Sequence, residues 1–321
     1  MPLNATKHVF AYVVRRLLAT IVVMAVVAFV VFLLLYLTPG DPAAILAGDA
    51  ATTEDIARVR AALGLDDPFL ERFGHWIWRL LHGDLGISIF TNLPVTHLIG
   101  QRVEPTLSLT VCTLVISVLV AVPMGMVAAA RAGTWADRLV MAFSVGGFSI
   151  PVFVLAYALI LLFSIQLGWL PVQGYRPIRD GIWEWARHLV LPSIALGTVY
   201  IALIARMTRA AMLDVLAQDY VRTAQAKGLA PSAVLIRHAL KNAAVPIATV
   251  IGIGIALLIG GAIVTETVFA LPGIGRLTVD AILRRDYPVI QGVVLIFSAA
   301  YVLINLAVDL SYMFFDPRIR Y

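Results

Sequence analysis

The sequence predicts an all-α integral membrane protein: six transmembrane helices, with a small extracytoplasmic helical insertion after the first. Three observations predict it. Hydrophobic residues fill 61% of the 321 positions and charged residues only 13%, whereas soluble domains are about half apolar and about a quarter charged. The mean hydropathy is +0.92. Apolar runs recur that are long enough to cross a hydrocarbon core of about 30 Å at about 1.5 Å per helical residue.

The first span covers residues 17–37 and is uninterrupted by charge. It follows Arg15-Arg16 as a signal peptide's apolar region would, but it is too long for one and no small-residue cleavage site follows, so it is expected to remain as an anchor. Further spans are expected at 106–130, 139–167, 189–205, 243–264 and 289–308. Pro123, Pro151 and Pro192 are expected to bend their helices. Gly252, Gly254, Gly260 and Gly261 mark a close-packing face on the fifth.

Lysine and arginine near the span ends orient the chain. With a cytoplasmic N-terminus, that side collects Lys7, Arg15, Arg16, Arg131, Arg138, Arg206, Arg209, Arg222, Lys227, Arg237, Lys241, Arg318 and Arg320. Residues 39–103 hold five arginines against eight acidic residues and fall outside. There Thr52 or Thr53 can cap a helix to about residue 63 with Gly64 as its stop, and Asp67-Pro68 can open a second that ends at Gly83. The second helix sets Phe69, Phe73, Trp76, Ile77 and Leu80 on one face, suited to the lipid interface. His75, His82 and His97 do not share a helix face, which argues against a metal site. The single cysteine, Cys112, excludes a disulfide within the chain and a cysteine-based metal site. The expected organisation is a cytoplasmic N-terminus and first helix at 1–38, an extracytoplasmic cap at 39–104, a transmembrane core at 105–314 and a cytoplasmic tail at 315–321.

A polar island interrupts the apolar pattern between the fourth and fifth spans, within a cytoplasmic loop at 208–241. Residues 206–227 read as one helix leaving the membrane, and Gly228 is placed to end it in the left-handed conformation. A second helix starts at Pro231-Ser232 and runs through Arg237 and Leu240 into the fifth span. A solvated loop accounts for the charges alone; Ala224, Ala226 and Gly228 beside Tyr220 and Leu229 also suit a knob seated in another protein's cleft. On the outer side, at 268–288, Pro272, Gly273 and Gly275 are expected to prevent a regular helix, leaving backbone that lines a cavity or packs on protein. Glu266 ends an apolar span, where a carboxylate needs a partner or water; it either faces a gate or marks the membrane boundary. Asp309 is expected to pair with a cytoplasmic arginine.

The string Asp219-Tyr220-Val221-Arg222-Thr223-Ala224-Gln225-Ala226-Lys227-Gly228-Leu229, with residues 237–243 after it, resembles the coupling loop of ABC importer permeases in the dipeptide, oligopeptide and nickel branch. Against the family's general Glu-Ala-Ala form, only Ala224, Gly228 and Leu240 match. Residues 12–18, Pro39-Gly40-Asp41-Pro42, Leu63-Gly64-Leu65-Asp66, Gly83-Asp84-Leu85-Gly86 with Ser88, and Pro105-Thr106-Leu107-Ser108-Leu109 resemble the same branch. So do Ser149-Ile150-Pro151-Val152-Phe153, Thr265-Glu266-Thr267-Val268-Phe269, Pro272-Gly273-Ile274-Gly275-Arg276, Arg285-Asp286-Tyr287-Pro288 and Asp316-Pro317-Arg318. The resemblance covers essentially the whole chain and is closest to the B-type subunit.

That resemblance implies the type I importer permease fold in a bacterial cytoplasmic membrane, with both termini cytoplasmic. It implies a homologous C-type permease, two ABC ATPases, an extracytoplasmic substrate-binding protein and membrane lipid as partners, and no nucleic acid. Asp219, Tyr220, Arg222, Thr223, Ala224, Ala226, Lys227, Gly228 and Leu229 would couple to the ATPases. Ser149, Pro151, Glu266, Arg276, Asp280 and Asp286 would line the path or its gate. No catalytic or metal residue and no bound cofactor is expected. The chain has no Gly-x-x-x-x-Gly-Lys-Ser/Thr run, so ATP and Mg would sit on the partner ATPases. Short peptides are the expected solute. A nickel or glutathione importer is the alternative, nickel being disfavoured because no Met or His pair is placed to pass on a borderline cation. A secondary transporter would show inverted repeats and ionisable residues at mid-span, and neither is found. A membrane-bound enzyme would cluster its histidines, and the six here are scattered.

Overall fold

The computed structural model describes residues 3–37, 42–47, 51–62, 64 and 66–315. Pro39, Gly40, Asp41, Leu63, Leu65 and the Asp316-Pro317-Arg318 motif with Arg320 lie outside them, as does the Asp309 side chain. Among the described residues the regular structure is helical, apart from an isolated bridge between Ile87 and Pro94. The chain forms two compact units, one from residues 9–101 and 277–300, the other from 1–8, 102–276 and 301–321.

In the first unit, the greater part of α1 (Leu3–Leu37) carries the apolar stretch Leu18–Leu33. Three short helices follow, one more than the sequence predicts: α2 (Pro42–Ala47), α3 (Thr53–Ala62) and α4 (Phe69–Leu81). Thr52, not Thr53, caps α3. The Asp55 N–H donates to Thr52 Oγ1 (3.2 Å) while the Thr52 N–H donates back to Asp55 Oδ2 (3.1 Å), a reciprocal capping box. Asp67 does not cap α4, because its carboxylate lies back against Gly64 and Pro68 takes the N-cap place with an extended ψ of 145°. The aromatic face of α4 packs on protein. Phe69, Phe73 and Trp76 meet Phe29, Phe32 and Tyr36 of α1 at centroid separations of 5.1 to 6.1 Å.

The second unit is built around α8 (Ile182–Leu216), whose apolar window is 67% buried. Around it lie the greater part of α5 (Val95–Ala130), then α6 (Trp135–Ser149), α7 (Val152–Leu159) with a π turn to Gln166, and α11 (Lys241–Val268). Leu189, Leu196, Tyr200 and Ile204 of α8 share a core with Leu109 of α5, Ile160 beyond α7 and Leu258 of α11. Small residues set the spacing: a Cβ on Gly125 would stand 2.6 Å from the Ala205 carbonyl oxygen, and one on Gly261 2.8 Å from Leu196. Of the four glycines predicted to pack on the fifth span, Gly252 faces Val308, Gly254 faces Tyr200 and Gly261 faces Leu196, whereas Gly260 faces open space.

The third predicted span is broken. Helices α6 and α7 meet at 103°, because Pro151 offers no N–H to continue the ladder and pushes Ile150 into extended backbone (φ −91°, ψ 120°). Pro123 and Pro192 instead lie inside continuous helices. Among the described residues four helices reach spanning length, Val95–Ala130, Ile182–Leu216, Pro231–Ile255 and Tyr287–Val308 of α13 (Tyr287–Phe315), and the broken pair makes five. The stretch in α1 supplies the sixth predicted position at shorter length.

Candidate functional site

The polar island folds as a compact elbow. Instead of one helix over 206–227, α8 stops at Leu216 and α9 (Asp219–Ala226) starts afresh after Gln218, whose backbone is extended (φ −75°, ψ 148°). The break pays in burial: it turns Val221 and Ala224 inward onto Val215, Leu216, Leu229 and Val234, where a straight continuation would leave them in water. At the other end the Leu229 N–H donates to the Ala224 carbonyl (3.3 Å) and the Gly228 N–H to that of Gln225 (2.9 Å). This is a Schellman closure, with Gly228 at φ 76° as the sequence predicts and Leu229 making the accompanying apolar contact. Pro231 then begins a helical turn, α10 (Pro231–Ala233), which continues through a π segment, Val234–Leu240, into α11. Nothing in the sequence marks that wider turn.

The elbow therefore has two faces. Asp219, Tyr220, Arg222, Thr223, Ala226, Lys227 and Gly228 are exposed, while Ala224 and Leu229 turn toward the protein and are not part of the outward knob. Arg222 and Asp219 approach to 3.4 Å with side chains 72% and 95% exposed, a surface pair of little energetic weight.

The 268–288 segment is more regular than predicted, for α12 (Ile274–Arg284) is a helix with Gly275 in its first turn. Proline and glycine do not prevent it because its unpaired N–H groups find acceptors outside the helix. The Ile274 N–H donates to Thr106 Oγ1 (2.8 Å) and the Arg276 N–H to Glu266 Oε2 (2.9 Å). Thr106 in turn donates to Glu266 Oε1 at 2.6 Å. Glu266 is wholly buried and placed where the positive end of the α12 dipole favours an anion. Within 268–288, non-helical backbone is limited to residues 269–273 and 285–286, where Ala270 is held at φ 50° and Arg285 at φ 58°, each at a cost of about 1–2 kcal/mol for a residue with a Cβ.

Glu266 and Arg276 are thus brought together, the latter through its backbone. Asp280 and Asp286 belong to the other compact unit. There Asp286 is buried, accepting the Ser88 hydroxyl and the Ile89 N–H (3.2 Å). Ser149 is exposed and bonds the Val145 carbonyl one turn back (2.9 Å), beside the break that Pro151 creates. Thr106 and Ser88 were not singled out in the sequence as partners, being 160 and 198 residues from the carboxylates they serve. Their recurrence inside the resembling motifs was the available signal. The described residues hold no group of three or more His, Cys, Asp or Glu side chains arranged for a metal.

Comparison with known proteins places this architecture. Residues 121–321 match the family described as binding-protein-dependent transport system inner membrane component, and residues 9–110 match its N-terminal companion. A probable peptide ABC transporter permease of Sinorhizobium fredii is 56% identical over 97% of this chain and 99% of its own. A putative peptide transport system permease of Brucella abortus is 46% identical over 97% and 99%, and the glutathione transport system permease of Escherichia coli K12 44% over the same shares. Among solved structures, an inward-facing form of the MetNI methionine ABC transporter superposes with a TM-score of 0.56 at 19% identity, covering 69% of this chain and 97% of that one; the likeness shows the fold. With a buried α8 at its centre, a capped elbow between α8 and α11 and family matches over both parts of its length, the chain belongs to the ABC importer permeases, in the peptide transport branch of the binding-protein-dependent inner membrane components.

Proposed function

We propose that the protein imports short peptides as one of two permeases in an ATP-driven transporter, working with a homologous C-type permease, two ABC ATPases and an extracytoplasmic binding protein. The termini and the elbow face the cytoplasm, as the lysines and arginines at the span ends favour. The observation that carries the coupling role is the two-faced elbow. Its inner face is anchored by Val221, Ala224 and Leu229 and closed by Gly228, so a push on exposed Tyr220, Arg222 or Lys227 moves α9 as one body with the end of α8 and the π segment that leads into α11. An ATPase that closes on nucleotide would supply that push, and the spans would exchange inward-open and outward-open states.

Short peptides are favoured by the Sinorhizobium and Brucella relatives, both named as peptide permeases. The Escherichia relative's glutathione is itself a tripeptide, so the shared chemistry is a small solute with a free amine and carboxylates. The test is uptake by the deletion strain, the complemented strain and a Gly228→Trp strain, using labelled alanyl-alanine, glutathione and nickel. Peptide uptake that is lost, restored and again lost across the three is the expected result. Equal uptake of every solute in all three strains refutes the substrate assignment.

A further inference from the structure

Glu266 is a wholly enclosed carboxylate on which three chain segments converge, and the coupling role just described makes no use of it. Through Thr106 it holds α5, through its own carbonyl, which accepts the Leu271 N–H (2.9 Å), it closes α11, and through the Ile274 and Arg276 N–H groups the same cluster starts α12. The neighbouring glycines are cut to fit. A Cβ on Gly273 would overlap the Glu266 carboxyl group, and one on Gly275 would stand 2.7 Å from Ile263 Cα. Between the carboxylate and the helix it caps, the 269–273 turn carries Ala270 in the left-handed region at φ 50°, a conformation that residues with a Cβ avoid. The Ala270 N–H bonds the Thr267 carbonyl (3.3 Å) and the Leu271 N–H that of Glu266 (2.9 Å), so the closing turn of α11 itself holds this conformation and sets the carboxylate against the start of α12. The clamp consists of hydrogen bonds to two side chains, Glu266 and Thr106, which water can replace.

We infer that the Thr106–Glu266 contact is a releasable latch, closed in this conformation and opened during the transport cycle so that the start of α12 leaves α5. The inference rests on the transporter reading. A purely structural staple, by contrast, would stay closed throughout.

The two are separated by locking the latch. In a Cys112→Ala background, which removes the native thiol, Thr106→Cys is combined with Ile274→Cys, the two positions joined by the 2.8 Å bond from the Ile274 N–H. The variant is purified with its partner subunits and reconstituted in vesicles. Oxidation is expected to abolish ATP-driven uptake of labelled alanyl-alanine, and reduction to restore it. Uptake by the cross-linked protein at the reduced rate would overturn the latch. If the Cys112→Ala parent takes up no dipeptide, the substrate assignment fails, and the same comparison is read on ATP hydrolysis stimulated by the binding protein.

Should the double-cysteine variant not assemble, Thr106→Val and Thr106→Ser give an independent reading. Losing the hydroxyl from a latch is expected to raise ATP hydrolysis without binding protein, so that the ratio of stimulated to basal activity falls, while Thr106→Ser keeps the wild-type ratio. A Thr106→Val transporter that is less heat-stable but keeps that ratio identifies a static staple and overturns the inference.

Discussion

Arg209 of α8 grips Asp137 of α6 with two nitrogens, Nε to Oδ1 and Nη2 to Oδ2 (2.8 Å), while Asp137 also accepts the Gly133 N–H at 2.9 Å. One carboxylate thereby ties the turn before α6 to the helix that leads into the elbow. Asp137 is 4% exposed, and its pair is the bidentate kind that holds geometry as well as charge. Asp137→Ala is expected to cost about 2 kcal/mol, because it leaves a partly buried guanidinium and a backbone N–H without their acceptor. Arg209→Lys should recover little, since an ammonium cannot make the fork. Thermal unfolding of the single and double variants checks this; additive losses would show that the two residues do not act as a pair.

At Gly228 the structure separates strain from bulk. A Cβ there meets nothing within 4 Å, so only the positive φ of 76° resists substitution. Gly228→Ala should destabilise the elbow by about 1 kcal/mol, and Gly228→Asn by less, because Asn tolerates that region. Gly228→Trp carries similar backbone strain but adds bulk to the exposed face. If the elbow docks on an ATPase, Trp should block uptake while Ala and Asn retain it. Equal loss in all three would place the defect in folding.

Much of this arrangement was legible in the sequence, and the failures share a cause. The spans follow from apolar length and Gly228 from local turn chemistry, both carried by neighbouring residues. The break after Leu216 was missed because Ala217 and Gln218 are neither proline nor glycine; what drives it is the burial of Val221 and Ala224 against residues on both sides of the turn. Helix α12 was read as irregular because Pro272, Gly273 and Gly275 are breakers in isolation, whereas Glu266 and Thr106 satisfy its first N–H groups. Pro151 marked the position of a bend, but not that it reaches 103°.

In the unit that contains it, Asp286 should act as a staple for the 86–95 turn. The Ser88 N–H already bonds the Leu93 carbonyl (3.0 Å) and its hydroxyl accepts from the Thr91 N–H (3.1 Å), so the carboxylate adds the tie between that turn and the start of α13. Asp286→Ala strands the buried Ser88 hydroxyl and the Ile89 N–H, a loss of about 2 kcal/mol. Faster amide exchange across residues 87–94 is the expected signature. Unchanged protection there would show that the turn stands without the carboxylate.

The α3 cap should respond to acid. Hydrogen bonds from the Thr52 hydroxyl and N–H hold the Asp55 carboxyl below its ordinary value. A carboxylate whose pKa is depressed on folding stabilises the fold in full above its unfolded value, near about 4, and that contribution fades as the pH falls through the folded value. Exchange from α3, corrected for its intrinsic rate, should therefore rise with acidification below that range, and Asp55→Asn should remove the dependence. An unchanged acid response in the variant would assign it to another group.

Tyr220 and Val221 are neighbours with opposite duties, and that contrast tests the elbow most directly. Tyr220 is 43% exposed and Val221 fully buried. Val221→Ala removes two methyl groups from the cluster with Val215, Leu216, Leu229 and Val234, a loss of about 1–2 kcal/mol that loosens α9. Tyr220→Ala removes a side chain from an open surface and should leave stability within about 0.5 kcal/mol. If the outward face meets an ATPase, Tyr220→Ala should weaken co-purification of that subunit and lower uptake with no change in thermal unfolding, while Val221→Ala lowers thermal stability as well. Wild-type assembly and uptake in Tyr220→Ala would move the docking contact away from this residue and onto the Arg222 and Lys227 end of the elbow.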